Sequence, residues 1–266
     1  MPYFDIDNGR LHYRRMGNGP ALLLAFHGYG ETADVFAVFA PHLQQRYTIL
    51  SIDLPHHGSS EWPASRQLLP NDLAALATQA ATLHNVARVS LMGYSIGARV
   101  CLALLKATPD KIDTVLLMAA DGLTINPWYY FVTRTLLGKA LFSTFLSNPS
   151  SSLQLANLLQ RMHVISGSYF KLTAQVLQHA ATRDQLRRAW PCLSRLVYRP
   201  AELRTVISEH NTKLLLFMGS RDRVLPPQLG ERFTKGLNSA QFFVLDKGHR
   251  IFDAANASHI AQHLLQ

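Results

Sequence analysis

The stretch Val89-Ser90-Leu91-Met92-Gly93-Tyr94-Ser95-Ile96-Gly97 leaves this chain few possible folds. An apolar run ends at a serine flanked by glycines, and a helical run, Ala98 to Ala107, follows at once. That pattern is a strand, a sharp turn with serine at its tip, and a helix. Gly93 and Gly97 let the turn close because they carry no Cβ. The same alternation recurs along the chain. Strand patterns lie at 4–6, 11–15, 21–26, 48–53, 88–92, 114–119, 213–218 and 241–245. Helical patterns lie at 34–45, 71–85, 96–107, 227–236 and 254–265. The first two strands flank Asn8-Gly9, a strong hairpin signal. Such alternation predicts an α/β architecture, a mostly parallel eight-stranded sheet with helices on both faces. A length of 266 residues suffices for one such domain with an insertion and a substantial core.

A serine on a strand-to-helix turn has its hydroxyl pushed into the open at the end of the sheet. The Ile96 amide begins the helix and has no intrahelical acceptor, so it is available to a developing oxyanion. A serine hydroxyl alone is a poor nucleophile and needs a base, an acid and a second oxyanion donor. Downstream, Gly219-Ser220-Arg221-Asp222 ends one strand pattern and Lys247-Gly248-His249 ends the next. In a parallel sheet those strand ends share one edge. The expected roles are therefore Ser95 as nucleophile, Asp222 as acid and His249 as base. Asp121 competes for the acid role because it ends the strand before the middle insertion. Asp246 lies at a strand end and is expected to be structural. His249 alone among twelve histidines falls in a glycine turn after the last strand. Upstream, the run Ala21 to Phe26 leads into His27-Gly28-Tyr29-Gly30, where the Tyr29 amide is expected to be the second oxyanion donor. Gly28 and Tyr94 flank these donors and are counted with the binding surface, and His27 is expected to brace its loop.

These motifs, together with Asp53-Leu54-Pro55-His56-His57-Gly58-Ser59-Ser60, resemble the α/β-hydrolase superfamily from about Asp5 to the C-terminus, apart from a middle insertion. One departure is His56, which stands where the family's loop usually has glycine. The resemblance implies a serine hydrolase acting on a small-molecule carboxylic ester or thioester through an acyl-enzyme, with no metal and no organic cofactor. It also admits a carbon–carbon bond hydrolase or lyase using the same triad, and a binding protein without turnover. Serine at the elbow argues against the members that use an aspartate nucleophile. By the same resemblance, the loop of His57 shapes the site, and local side-chain bonds make Asp53 its anchor.

Between Ala120 and Asn211 the alternation breaks and helical patterns take over. The expected organisation is a core of 1–120 and 212–266 with a helical lid of 121–211 over Ser95. Within Trp128 to Leu146, the residues Phe131, Leu137 and Leu141 recur at roughly helical spacing and are expected to line the acyl pocket. Residues 121–211 hold ten Lys/Arg and four Asp/Glu, which accounts for +6 of the chain's formal +9. Such a lid offers a complementary face to an anionic substrate, an acyl-carrier partner or an anionic membrane surface, and otherwise serves solubility. Nucleic-acid binding would need a reading element, and none is visible. No apolar run reaches the roughly 20 residues of a membrane span, and no signal peptide is visible. Cys101 and Cys192 suggest no disulfide framework and have no ligand-like spacing to histidine, so the expected compartment is the reducing cytoplasm. Nothing in the sequence bears on oligomeric state.

Overall fold

The computed structural model describes residues 2–162, 164 and 167–266. Eight strands form one sheet: β1 (Tyr3–Ile6), β2 (Gly9–Met16), β3 (Ala21–Phe26), β4 (Tyr47–Ile52), β5 (Val89–Tyr94), β6 (Ile112–Met118), β7 (Lys213–Gly219) and β8 (Ala240–Leu245). Their order is β1-β2-β4-β3-β5-β6-β7-β8. The β1–β2 and β2–β4 pairs are antiparallel and the rest are parallel. Every residue of β4 and β5 is buried, as in a sheet covered on both faces. Leu23, Leu24, Leu91, Leu116 and Leu215 are wholly buried, and each contributes about 1.5–3 kcal/mol by leaving water.

The order changes direction at β3. The chain moves from β3 to β4 on one side and then returns to place β5 on the other. The loops after β3 and β5 therefore leave the same sheet edge side by side, which is where open α/β sheets bind ligands.

Two local expectations shift. The hairpin turn is Asp7-Asn8, with Asp7 in the left-handed region at φ 53°, and Gly9 is already in β2 opposite Ile6. Gly9 is needed for space: a Cβ there would meet the Trp62 ring at 2.5 Å. The helix expected over 34–45 is a 3₁₀ stretch, Ala33–Phe39, followed by the short α1, Ala40–Leu43. Pro41 has no N–H to continue the ladder, so it enters in the first turn of a new helix.

Helix α2 (Pro70–Leu83) opens with Pro70, and the Asp72 carboxylate accepts the Leu69 amide at 2.8 Å. Helix α3 (Ile96–Ala107) follows the elbow. Helices α4 (Pro127–Arg134), α5 (Leu136–Ser147), α6 (Pro149–Arg161), α7 (Gly167–Gln178) and α8 (Ala180–Cys192) come next in the chain. They are followed by α9 (Pro200–Glu209), α10 (Pro227–Thr234) and α11 (Ala257–Leu265).

The chain divides into two compact units, one of 1–125 with 195–266, the other of 126–194. These limits differ from the 121–211 of the sequence reading, because α9 packs with the sheet unit. Lys106 pairs with Glu202 at 2.8 Å, and Arg204 donates to the Lys235 carbonyl at 2.7 Å. In the helical unit the apolar stretch 128–146 is interrupted at Thr135. The Thr135 Oγ1 accepts the Gly138 amide at 2.9 Å and starts α5. Its core is aromatic: Phe142 stacks on Trp190 at 5.3 Å, and the Tyr129 hydroxyl donates to the Trp190 carbonyl at 2.8 Å. Among the described residues, no helix is long and apolar enough to cross a membrane.

Candidate active site

The elbow is built by backbone strain and close packing. Ser95 sits at φ 52° and ψ −118°, a conformation that L-residues rarely adopt. Surrounding bonds impose it. The Ser95 amide donates to the Met118 carbonyl at 2.9 Å, and the Ser95 carbonyl accepts from Ala98 at 3.0 Å and Asp121 at 3.2 Å. Gly97 lets α3 lie against β3, since a Cβ there would fall 1.9 Å from the Phe26 carbonyl oxygen. Gly93 does the same beneath Ala98 and Cys101.

The turns that carry Asp222 and His249 rest on each other. Gly219 has no room for a side chain, because a Cβ would meet the Gly248 carbonyl oxygen at 2.4 Å. The Ser220 amide donates to Leu245 at 2.8 Å, and the Arg221 amide donates to Lys247 at 2.9 Å. Asp246 reinforces this contact by accepting from Ser220 and pairing with Arg221 at 3.0 Å.

This packing joins three side chains from three loops. The Ser95 hydroxyl lies 3.0 Å from His249 Nε2. His249 Nδ1 lies 2.7 Å from Asp222 Oδ2. Asp222 Oδ1 accepts the Val224 amide at 2.8 Å and the Leu225 amide at 3.0 Å. The Asp222 side chain is fully buried, and burial alone would raise its pKa. The bond from His249 and the two loop amides outweigh that, and hold the carboxyl below its ordinary value. An ionised Asp222 accepts from Nδ1–H, which leaves the Nε2 lone pair facing Ser95. Asp121, the rival for the acid role, instead forms an ion pair with the buried Arg99.

Ile96 is the first residue of α3, so its amide is in the turn that has no intrahelical acceptors. Tyr29 lies in the turn after β3, with its ring edge-on to His57 at 5.7 Å. The bare Cα of Gly28 packs on the ring of Tyr94, which a Cβ would approach to 2.8 Å. Phe131, Leu137 and Leu141 belong to the helical unit. Phe131 is half-buried 5.7 Å from the Trp128 ring, and both leucines are exposed.

Two loops beside the serine are braced by buried polar groups. His27 is fully buried, and its Nδ1 donates to the Gly28 carbonyl at 2.7 Å. Its Nε2 accepts the Leu54 amide at 2.9 Å, which ties the loop after β3 to the loop after β4. Asp53 accepts from Ala33 at 2.6 Å, Ser59 at 2.9 Å and the His12 ring at 2.8 Å. His56 takes the left-handed conformation at φ 65°, which explains why glycine is the usual residue there.

His27 also makes stability depend on pH. Burial, then the neighbouring His57, pushes its pKa down to about 4. The unfolded chain takes up a proton near pH 6.5, so this contribution is complete above that value and is lost as pH falls toward 4. The size is about 3 kcal/mol. We expect denaturant unfolding to show a loss of that order between pH 7 and 4, and His27→Asn to flatten it. An unchanged pH slope in the variant would remove His27 as the source.

Sequence reading did not single out Glu31 or Arg250, which face each other beside His249. Their charges adjoin two glycine turns, but they are separated by 219 positions, so their pairing is a tertiary fact. Among the described residues, no group of three or more His, Cys, Asp or Glu side chains could hold a metal ion.

Known proteins share this plan. A pimeloyl-[acyl-carrier protein] methyl ester esterase of Neisseria meningitidis serogroup B is 26% identical over 225 residues, 83% of this chain and 82% of the relative. A Rhodococcus esterase structure superposes with a TM-score of 0.69 at 20% identity, covering 99% of this chain and 98% of its own. A meta-cleavage product hydrolase of Pseudomonas fluorescens superposes with a TM-score of 0.65 at 14% identity, covering 100% and 96%. At such identities the two structures speak for the fold alone. The family model described as alpha/beta hydrolase fold matches residues 21–254, a span that holds the elbow and both partner turns, and the chain belongs to that family.

Proposed function

We propose that this hydrolase cleaves a carboxylic ester or thioester through an acyl-enzyme, with Ser95 as nucleophile, His249 as base and Asp222 as acid. The observation that carries the reading is the continuous relay from Ser95 Oγ to His249 Nε2 and from His249 Nδ1 to Asp222 Oδ2. His249 takes the hydroxyl proton as Ser95 Oγ bonds to the carbonyl carbon. The Ile96 and Tyr29 amides hold the oxyanion, and removing one such donor typically costs about 100- to 1,000-fold in turnover. His249 then gives the proton to the leaving alcohol or thiol. Water enters, His249 deprotonates it, and the acid departs with Ser95 restored. Asp222 keeps His249 in the required tautomer and stabilises the imidazolium.

The Neisseria relative is named for a methyl ester on an acyl carrier. The helical unit fits an acidic carrier in charge, with seven Lys/Arg against one Asp/Glu over residues 126–194. We extend the proposal to an acyl chain contacted by Phe131, Leu137 and Leu141, on the ground that both leucines are exposed apolar side chains. Fluorophosphonate labelling tests the enzyme reading: labelling at Ser95 supports it, and an unlabelled, inert chain supports a binding protein. The substrate reading is tested by kcat/KM for acetyl, butyryl, hexanoyl and octanoyl esters of one alcohol. We expect a graded rise toward short or medium chains, about 1–3 kcal/mol per methylene at most. A flat or falling profile would remove the three lid residues from the acyl site.

A further inference from the structure

We propose that Glu31, Arg250 and Tyr94 are positioning residues that clamp together the loops bearing the oxyanion donor, the nucleophile and the base. The proposal rests on the triad reading above. Arg250 follows His249 directly, and its guanidinium pairs with Glu31 Oε1. Glu31 follows Gly30, and its other oxygen, Oε2, accepts the Gly28 amide at 3.3 Å. The charge pair thus connects the loop after β8 to the loop after β3. Tyr94 closes the circuit from the elbow. It precedes Ser95, and its hydroxyl donates to the His249 carbonyl at 3.3 Å. Its ring centroid lies 5.7 Å from the Arg250 guanidinium, and its edge packs against the bare Cα of Gly28. Arg250 is held further by the Phe252 ring at 4.5 Å and by donation from Nε to the Phe252 carbonyl at 3.2 Å.

Three loops far apart in sequence are therefore joined through one guanidinium, one carboxylate and one phenol. Arg250 is half-exposed, and an ion pair so wetted adds little to global stability. Its effect on geometry is different in kind, because misplacing a reacting group by 1 Å costs about 100-fold in rate. Glu31 neutralises Arg250 where it stands, which favours a bracing role over recognition of an anionic substrate. The clamp should accordingly register in turnover more than in binding or melting temperature.

The test uses Arg250→Ala, Arg250→Lys, Glu31→Gln and the Glu31→Gln/Arg250→Ala double variant of the full chain. The measurements are kcat and KM for p-nitrophenyl butyrate, fluorophosphonate labelling rate and thermal midpoint. Arg250→Ala should lower kcat and the labelling rate by about 10- to 100-fold, with KM within about threefold of wild type and a nearly unchanged midpoint. Arg250→Lys, which keeps a cation for Glu31, should recover much of the loss. The double variant should be no worse than Arg250→Ala, since the partners act as one unit. Wild-type kcat in Arg250→Ala would overturn the clamp. So would a rise in KM at constant kcat, which marks a substrate contact. Additive losses, or a kcat loss that follows the midpoint without rescue by lysine, would overturn it as well. A wild-type chain that neither labels nor turns over would overturn the triad reading, and the clamp with it.

Discussion

Ser95→Ala is expected to lower esterase turnover by on the order of 10⁶-fold and to abolish fluorophosphonate labelling while leaving the fold in place. The reason is chemical, because alanine has no atom that can bond to the carbonyl carbon, and His249 then has no hydroxyl to deprotonate. The fold should survive because the strained backbone at 95 is held by main-chain bonds. The donation to Met118 and the acceptance from Ala98 and Asp121 do not involve the hydroxyl. Alanine meets the same steric penalty at φ 52° as serine does. Circular dichroism and the thermal midpoint should match wild type. Retained turnover on the same ester, at matched folding, would take the nucleophile role away from Ser95.

The second large effect is expected at Asp222. Asp222→Asn should lower kcat by about 10⁴-fold, the size found for this change in the best-studied triad. The geometry here says why. Oδ1 is anchored by the Val224 and Leu225 amides, so the amide oxygen of asparagine will take that place. Its NH₂ then faces His249 Nδ1 and donates to it. The imidazole must carry its proton on Nε2, the tautomer that cannot accept from Ser95. Asp121→Asn should leave kcat within a few-fold, because Asp121 is engaged with Arg99. Its cost should appear in stability, since it weakens the partner of a buried guanidinium. Steady-state kinetics and thermal melts of both variants decide the matter. The reverse ranking would move the acid to Asp121.

The pairing of Glu31 with Arg250 shows where sequence reasoning stops. Each residue adjoins a recognisable glycine turn, yet a lone glutamate and a lone arginine carry no signal that they meet. The meeting of Ser95, His249 and Asp222 was legible for the opposite reason. Ser95, Asp222 and His249 each end an apolar run, and a parallel sheet sends all such ends to one edge. The role of Asp53 was legible only in part. Its anchoring of the 53–60 loop is a local matter of side chain to backbone, but its bonds to Ala33 and the His12 ring come from the 3₁₀ stretch after β3 and from β2.

The sequence by itself determined the eight strands, their alternation with helices, the elbow and the order of the triad motifs. Those features depend on short-range rules: apolar periodicity, glycine at strained turns and the punctuation of strand ends. Even within these rules boundaries moved: Pro41 falls in the first turn of a new helix, and Gly9 lies in β2 and not in the hairpin turn. Only the tertiary structure decided what long-range packing decides. It placed Asp222 and not Asp121 on His249, assigned α9 to the sheet unit, and buried His27 between two loops with its pKa near 4. These outcomes depend on which backbones approach closely enough for one side chain to reach another. That distance is set by the close packing of Gly219 on Gly248 and of Gly97 on Phe26, and no window of sequence contains it.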